Sequence, residues 1–175
     1  PHRFVVAGAS STFDGARLLA DTKKICETEI EFWHGKTRAK QQKPPFKSYV
    51  FLLNVVADGG GGLEHRNSTA LLCKRDDLPR LGEVKQTNGY SGLLGLISHE
   101  YFHTWNVKRL HPADFSEFDY SQENYTEMLW FFEGFTSYYD DLLLRRSGLI
   151  DDAQYLEVLC KTVNHVWQTP GRKVQ

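Results

Sequence analysis

The spacing of hydrophobic and polar positions changes near the middle of the chain. In the first half, the β-branched and aromatic run YVFLLNVV at residues 49–56 predicts a largely buried strand, and residues 68–73 predict a second one. A shorter run at residues 4–6 is also strand-like. Residues 13–33 carry a helical stripe instead, with Gly35 as its stop signal. The members of the stripe are Leu19, Thr22, Cys26, Ile30 and Trp33.

Helical patterns predominate after Tyr90. The first predicted helix begins with Ser91 as its N-cap and carries Leu93, Leu94, Leu96 and Ile97. A second spans about residues 124–146 and stops at Gly148, and a third spans about residues 151–167. The chain is therefore predicted to have an α+β fold. Residues 1–88 form its mixed, β-rich sheet part, and residues 89–175 form its helical part.

Length, charge and cysteine content narrow the class of protein. The 175 residues fit one domain, and the formal net charge of −1 gives no electrostatic reason to expect nucleic acid or an anionic membrane as a partner. No apolar run approaches the roughly 20 residues that span a bilayer. The three cysteines are scattered and lack CxxC spacing, which favours free thiols and a cytoplasmic location. The sequence predicts no oligomeric state.

The first predicted helix of the second half contains an H-E-x-x-H signature formed by His99, Glu100 and His103. Histidines four residues apart lie on one face of a helix, so both imidazoles can reach one tetrahedral metal. Glu100 projects beside them towards the water that such a metal activates. The alternative is two surface histidines that carry this spacing by chance. The apolar stripe around the motif favours a zinc hydrolase with one zinc per chain.

A catalytic zinc site needs a third protein ligand, and two acids compete for that role. Glu123 follows His103 by twenty residues, but it lies at the start of a predicted helix, where a carboxylate complements the helix dipole. Glu133 is flanked by large apolar residues, and a buried charge needs a partner such as a metal. We therefore prefer Glu133, with a salt bridge in the core as its alternative role. Thr136 and Ser137, one turn further on, are candidates to orient the imidazoles.

Four consecutive glycines at residues 59–62 precede Glu64. Composition alone favours a flexible turn. Glycines also let an extended substrate approach a strand closely, and Gly61, Gly62 and Glu64 would then lie at a substrate cleft.

Several motifs together resemble the glycyl aminopeptidase family, gluzincins that are distantly related to aminopeptidase N. They are the H-E-x-x-H signature within Y-F-H-T-W-N-V-K-R at residues 101–109 and W-x-x-E-G-x-T-x-Y-Y at residues 130–139. The stretches G-G-L-E-H-R-N-S-T at 61–69 and T-P-G-R at 169–172 extend the match over most of the chain.

The resemblance implies a thermolysin-like catalytic domain with His99, His103 and Glu133 on zinc and Glu100 as general base. It further implies an aminopeptidase that removes small N-terminal residues such as glycine or alanine from peptides with a free N-terminus. Glu64 corresponds to the glutamate of the G-x-M-E-N strand that binds the substrate amine in larger relatives.

Family members continue past the T-P-G-R segment to a tyrosine that stabilises the oxyanion, and they carry flanking domains. The chain is therefore expected to be a fragment, a catalytic domain without its full active site. Two other functions stay open: a zinc endopeptidase with the same ligands, and a zinc-stabilised interaction module without turnover. An intact Glu100 speaks against the module, because a structural zinc site needs no base.

Overall fold

A computed structural model describes residues 1–35, 43–115, 117, 119 and 121–174. Within them the fold is mixed α+β, with a four-stranded sheet and four α-helices. In chain order the elements are β1 (His2–Ala7), α1 (Gly15–His34), β2 (Tyr49–Val56), β3 (Gly61–Glu64), β4 (Ser68–Lys74), α2 (Asn88–Phe102), α3 (Leu129–Ser147) and α4 (Asp152–Gln168). All four strands and α1 precede residue 88, and α2, α3 and α4 follow.

The sheet ends in a short edge strand that lies next to α2. The strand order is β1-β2-β4-β3, with β1, β2 and β4 parallel and β3 antiparallel to β4. Gly62 pairs with Leu71 and Glu64 with Thr69. Because β3 is paired along one edge only within the described residues, its other edge is available to an extended chain.

The core lies between one face of the sheet and α2. In β2, Tyr49, Phe51, Leu53 and Val55 are buried, as are Leu94, Ile97 and Tyr101 of α2. The prediction of a largely buried strand is only half right, because alternate residues of β2 point away from this core and Leu52 is 47% exposed. Its boundaries at residues 49 and 56 are as predicted.

Helix α1 begins after Asp14, whose carboxylate accepts a hydrogen bond from the Arg17 N–H at 2.9 Å, and it ends at Gly35 with φ +81°. The predicted stripe is wrong at Leu19, which is 54% exposed. Leu18 and Ile25 are buried in its place, so the apolar face is rotated from the predicted one.

Two helices begin at other residues than predicted. Helix α2 starts four residues earlier, because the Thr87 hydroxyl, rather than that of Ser91, caps it by accepting from the Tyr90 N–H at 3.0 Å. Helix α3 starts at Leu129, about five residues late, and ends as predicted at Gly148 with φ +75°.

The glycine tract also differs from the expected turn. Gly61 and Gly62 are the first two residues of β3.

The three cysteines are free, with Cys26 and Cys73 buried and Cys160 exposed. Within the described ranges, no helix combines the length and apolar character that a membrane crossing requires.

Candidate metal centre

The HExxH helix and α3 bring three potential metal ligands together. His99 of α2 and His103, the residue that caps the C-terminal end of this helix, have their Nε2 atoms 3.1 Å from each other. The Glu133 carboxylate of α3 lies 3.3 Å from His99 Nε2 and 3.6 Å from His103 Nε2. Among the residues that the structure describes, this is the one group of three or more His, Cys, Asp or Glu with ligand atoms close enough to hold a metal.

These distances can be compared with the geometry that zinc requires. Nitrogen and oxygen ligands lie about 2.0–2.1 Å from zinc, so two ligand atoms of a tetrahedral site are about 3.3 Å apart. The three measured separations are 3.1, 3.3 and 3.6 Å. Two imidazoles and one carboxylate are also a ligand set that leaves the fourth position of a catalytic zinc open. The three side chains therefore fit zinc without rearrangement.

Glu123, the competing acid, has a different environment. Its carboxylate accepts a hydrogen bond from the Tyr125 hydroxyl in the exposed segment before α3. It is not part of the cluster with His99 and His103. The geometry brings Glu133, and not Glu123, to the two histidines.

The Nδ1 atom of each imidazole lies within hydrogen-bonding distance of an oxygen atom of a neighbouring residue. His99 Nδ1 lies 2.8 Å from Asp140 Oδ2, and His103 Nδ1 lies 2.9 Å from the backbone oxygen of Asn106. When Nδ1 carries the proton and donates a hydrogen bond to these oxygens, the lone pair of each Nε2 faces the shared centre. Both imidazoles are thus oriented as ligands.

The charges of the cluster depend strongly on one another. Burial lowers the pKa of His99, but its hydrogen bonds to Asp140 and Glu133 outweigh burial and raise this pKa to about 10. Hydrogen bonds from His103 and His99 hold the pKa of Glu133 well below its usual range. A cation at this centre therefore competes with protons for the same nitrogen atoms.

Asp140 and Asn106, which hold the imidazoles, are not predicted from the sequence, which indicates Thr136 and Ser137 for this role instead. Thr136 is buried and accepts a hydrogen bond from the Asn106 side chain at 3.0 Å, so it supports the residue that holds His103 rather than an imidazole itself. Among the described contacts, Ser137 makes no hydrogen bond to either histidine. One signal could have indicated Asp140: it lies seven residues after Glu133, two helical turns further along the same face.

A buried network lies behind His99. Ser98 Oγ lies 3.0 Å from the backbone oxygen of Asp140 and 3.0 Å from Glu29 Oε1, and Glu29 is completely buried. Burial raises the pKa of Glu29 well above its ordinary value, and the nearby negative charge of Asp140 raises it further. Glu29 therefore favours its neutral form, while Asp140 keeps the hydrogen bond to His99.

Glu100 lies against the edge strand β3. Its side chain is buried, and its Oε2 atom has no hydrogen-bond partner among the described residues. Burial raises its pKa, the two histidines lower it, and the carboxylates of Glu64 and Glu133 raise it again, with an increase as the net result. A Cβ atom at Gly62 would lie 2.3 Å from Cδ of Glu100. Only glycine leaves room for this carboxyl group against β3.

Glu64, at the end of β3, is paired. Its Oε1 atom lies 3.0 Å from Nζ of Lys108, and the two side chains are 21% and 25% exposed. The negative charge of Glu64 is one of the causes that raise the pKa of Glu100.

A cleft of about 560 Å³ opens beside His99 and Glu100. Gly61 and Gly62 of β3 line it on one side, and residues of α2, α3 and α4 line the rest. One of the α3 residues is Asp141, whose pKa burial raises to about 7. The space is large enough for a small peptide next to His99 and Glu100.

The chain is similar to a known peptidase family and to a solved structure. The family model described as M61 glycyl aminopeptidase matches residues 92–175. The crystal structure of an aminopeptidase N family protein from Idiomarina loihiensis is 48% identical in sequence and superimposes with a TM-score of 0.81. The similarity covers 89% of this chain and 25% of that chain, so this chain spans about a quarter of its relative's length. No curated protein matches this chain.

Proposed function

The chain belongs to the glycyl aminopeptidase family of peptidases, and from that premise we propose that it is the catalytic domain of a zinc aminopeptidase. One observation carries the proposal: three potential ligands converge beside a buried, unpartnered carboxyl oxygen of Glu100 that faces a glycine edge strand. The contacts of α2 with β3 and β4 support treating residues 1–88 and 89–175 as parts of one domain. An edge strand lying across from the HExxH helix also supports a thermolysin-like arrangement.

His99, His103 and Glu133 would hold one zinc ion per chain. When bound, zinc would supply a Lewis acid that lowers the pKa of a water molecule to about 7 and polarises the peptide carbonyl. Asp140 and the Asn106 carbonyl keep the two imidazoles in the tautomer that this ligand role requires.

Glu100 would be the general base. Its raised pKa suits a carboxylate that accepts a proton from the attacking water and returns it to the leaving amine. The unpartnered Oε2 atom leaves one oxygen of the carboxyl group available for that proton.

The substrate would be a peptide with a free N-terminus and a small first residue such as glycine or alanine. An extended peptide can add to the open edge of β3, where Gly61 and Gly62 allow a close approach. Glu64, two residues further along β3, would then bind the N-terminal ammonium. Family membership supports the small first residue.

A zinc endopeptidase is the second candidate, and one observation favours it. Lys108 already neutralises Glu64, the residue that would have to recognise the amine. An endopeptidase needs no such recognition and should cleave N-acetylated peptides as readily as free ones.

The decisive experiment uses the full-length protein, because the chain spans a quarter of its solved relative. We expect about one zinc per molecule and hydrolysis of alanyl peptides that acetylation of the N-terminus abolishes. Glu100→Gln should keep the zinc and the fold but lose hydrolysis, because an amide cannot accept the proton. Activity within a few-fold of the parent would remove Glu100 from the role of base. Equal cleavage of free and acetylated peptides would favour the endopeptidase.

A further inference from the structure

The salt bridge between Glu64 and Lys108 has a consequence for substrate affinity. We propose that Lys108 is a built-in competitor of the substrate's N-terminal ammonium for Glu64, and that it limits how tightly free-amine peptides bind. This inference rests on the proposed aminopeptidase function.

The chemical argument is that Lys108 presents the same group as the substrate. A lysine Nζ and a peptide N-terminus are both primary ammonium groups, and each donates charge-assisted hydrogen bonds to a carboxylate. Lys108 Nζ is 3.0 Å from Glu64 Oε1, with both side chains at least three-quarters buried. Glu64 therefore already binds an ammonium group when no peptide is present.

The backbone around Lys108 fixes it beside Glu64. Val107 has φ +107°, a conformation that β-branched residues rarely adopt. The turn is held by the Lys108 N–H, which donates to the His103 carbonyl at 3.1 Å, and by the Val107 N–H, which donates to the Leu110 carbonyl at 3.0 Å. The chain thus reverses directly after a proposed zinc ligand, and the reversal directs Lys108 towards Glu64.

Arg109 ties the same turn to the sheet. Its guanidinium donates to the backbone oxygens of Thr104 at 2.6 Å and Arg66 at 2.8 Å. Arg66 lies in the connection between β3 and β4. The backbones that carry Glu64 and Lys108 are therefore linked, so their pairing does not depend on chance contact between two loose side chains.

The Lys108 side chain can nevertheless yield to a substrate. Among the described residues, Glu64 is the one partner of its ammonium, and the side chain is 25% exposed. If Lys108 leaves, the substrate must replace an existing ion pair. If it stays, two positive charges share one carboxylate and repel each other. Both cases weaken the binding of a free amine, so removal of the lysine charge should strengthen it.

The test measures binding without turnover. The zinc-loaded full-length protein carrying Glu100→Gln is titrated calorimetrically with alanyl-alanine amide and with its N-acetylated form. Adding Lys108→Met should tighten binding of the free-amine peptide roughly tenfold. This is the lower end of the range for one charge-assisted hydrogen bond, because the pair of Glu64 and Lys108 is partly exposed. Binding of the acetylated peptide should be unchanged.

Two further variants control for charge and for the partner. Lys74→Met removes a lysine of β4 that pairs with the exposed Asp58 at 2.7 Å, so it tests the effect of net charge alone and should leave both affinities unchanged. Glu64→Gln should weaken binding of the free-amine peptide and leave binding of the acetylated peptide unchanged. Adding Lys108→Met to Glu64→Gln should then produce no gain, since the competition requires the carboxylate.

The outcomes separate the two proposals. Unchanged or weaker binding of the free-amine peptide in Lys108→Met, with Glu64→Gln still impaired, overturns the competitor role and leaves the aminopeptidase function standing. If the Glu100→Gln protein binds free and acetylated peptides equally, and Glu64→Gln changes neither affinity, then recognition of the amine itself is overturned. If Lys74→Met tightens binding of the free-amine peptide as Lys108→Met does, the effect is due to net charge and the inference is also overturned.

Discussion

Gly62→Ala should separate proton transfer from zinc binding. The new Cβ atom would lie 2.3 Å from both Cδ and Oε1 of Glu100 and 2.5 Å from its Cγ. Carbon atoms in contact are normally about 3.5–4.0 Å apart. The carboxyl group must therefore retreat by more than about 1 Å, or β3 must move away from α2. Either change displaces the proposed base from the attacking water.

The expected loss follows from the size of this displacement. A misplacement of about 1 Å can reduce the rate of an enzyme about 100-fold, so we expect kcat/KM to fall by about that factor. Overpacking of this kind also lowers the free energy of unfolding by about 1–3 kcal/mol. The three heavy atoms nearest to the new Cβ atom all belong to Glu100 and none to His99, His103 or Glu133, so zinc content should stay near one per molecule.

The glycine tract provides a matched control. A Cβ atom at Gly60 would lie 3.9 Å from the nearest heavy atom outside its neighbours, the Leu72 backbone oxygen, so Gly60→Ala should retain activity within a few-fold. Gly61 is unsuitable as a control because its φ of +144° disfavours alanine without any contact. If Gly62→Ala keeps the parental kcat/KM, or if its kcat/KM falls only in proportion to a loss of zinc, displacement of the proposed base is refuted.

Three further predictions concern the ligands and their support. Glu133→Gln should reduce zinc content in metal analysis while Glu123→Gln should not, and the reverse would assign the third ligand to Glu123. Asp140→Asn should weaken zinc affinity by about 10- to 100-fold in a chelator competition, with an unchanged circular dichroism spectrum, because it disturbs the hydrogen bond to His99. Glu29 has a raised pKa in the fold, so ionisation destabilises the native state and stability falls as pH rises above the unfolded pKa of about 4.3. Glu29→Gln should remove this fall in denaturant unfolding, and parallel pH profiles would contradict it.

Local sequence patterns predicted the helices and strands and the histidine pair of the candidate metal centre. Strand β2 has its predicted boundaries, since a β-branched and aromatic run is a property of a few consecutive residues. His99 and His103 share a helix face for the same reason. The start of α2 was harder to predict, because Thr87 and Ser91 are both good caps and only the fold selects between them.

Contacts between distant elements could not be predicted in this way. Asp140 supports His99 only because α2 and α3 pack together, and Lys108 reaches Glu64 only because Val107 adopts a positive φ that its residue type disfavours. The reason for Gly62 is likewise a contact with Glu100, thirty-eight positions away in the sequence, whereas composition alone indicates a turn.

Helix α3 links the candidate metal centre to the packing of the core. The two ring nitrogens of His99 contact acids two turns apart on this helix: Nε2 lies 3.3 Å from Glu133, and Nδ1 lies 2.8 Å from Asp140. Seven residues rise about 10.5 Å along a helix while returning to nearly the same face. A slip of α3 along α2 by one turn, about 5.4 Å, would break both contacts together. The buried Ser98, which contacts the Asp140 backbone, opposes such a slip, so substitutions that loosen the packing of α2 against α3 should weaken zinc binding before they unfold the chain.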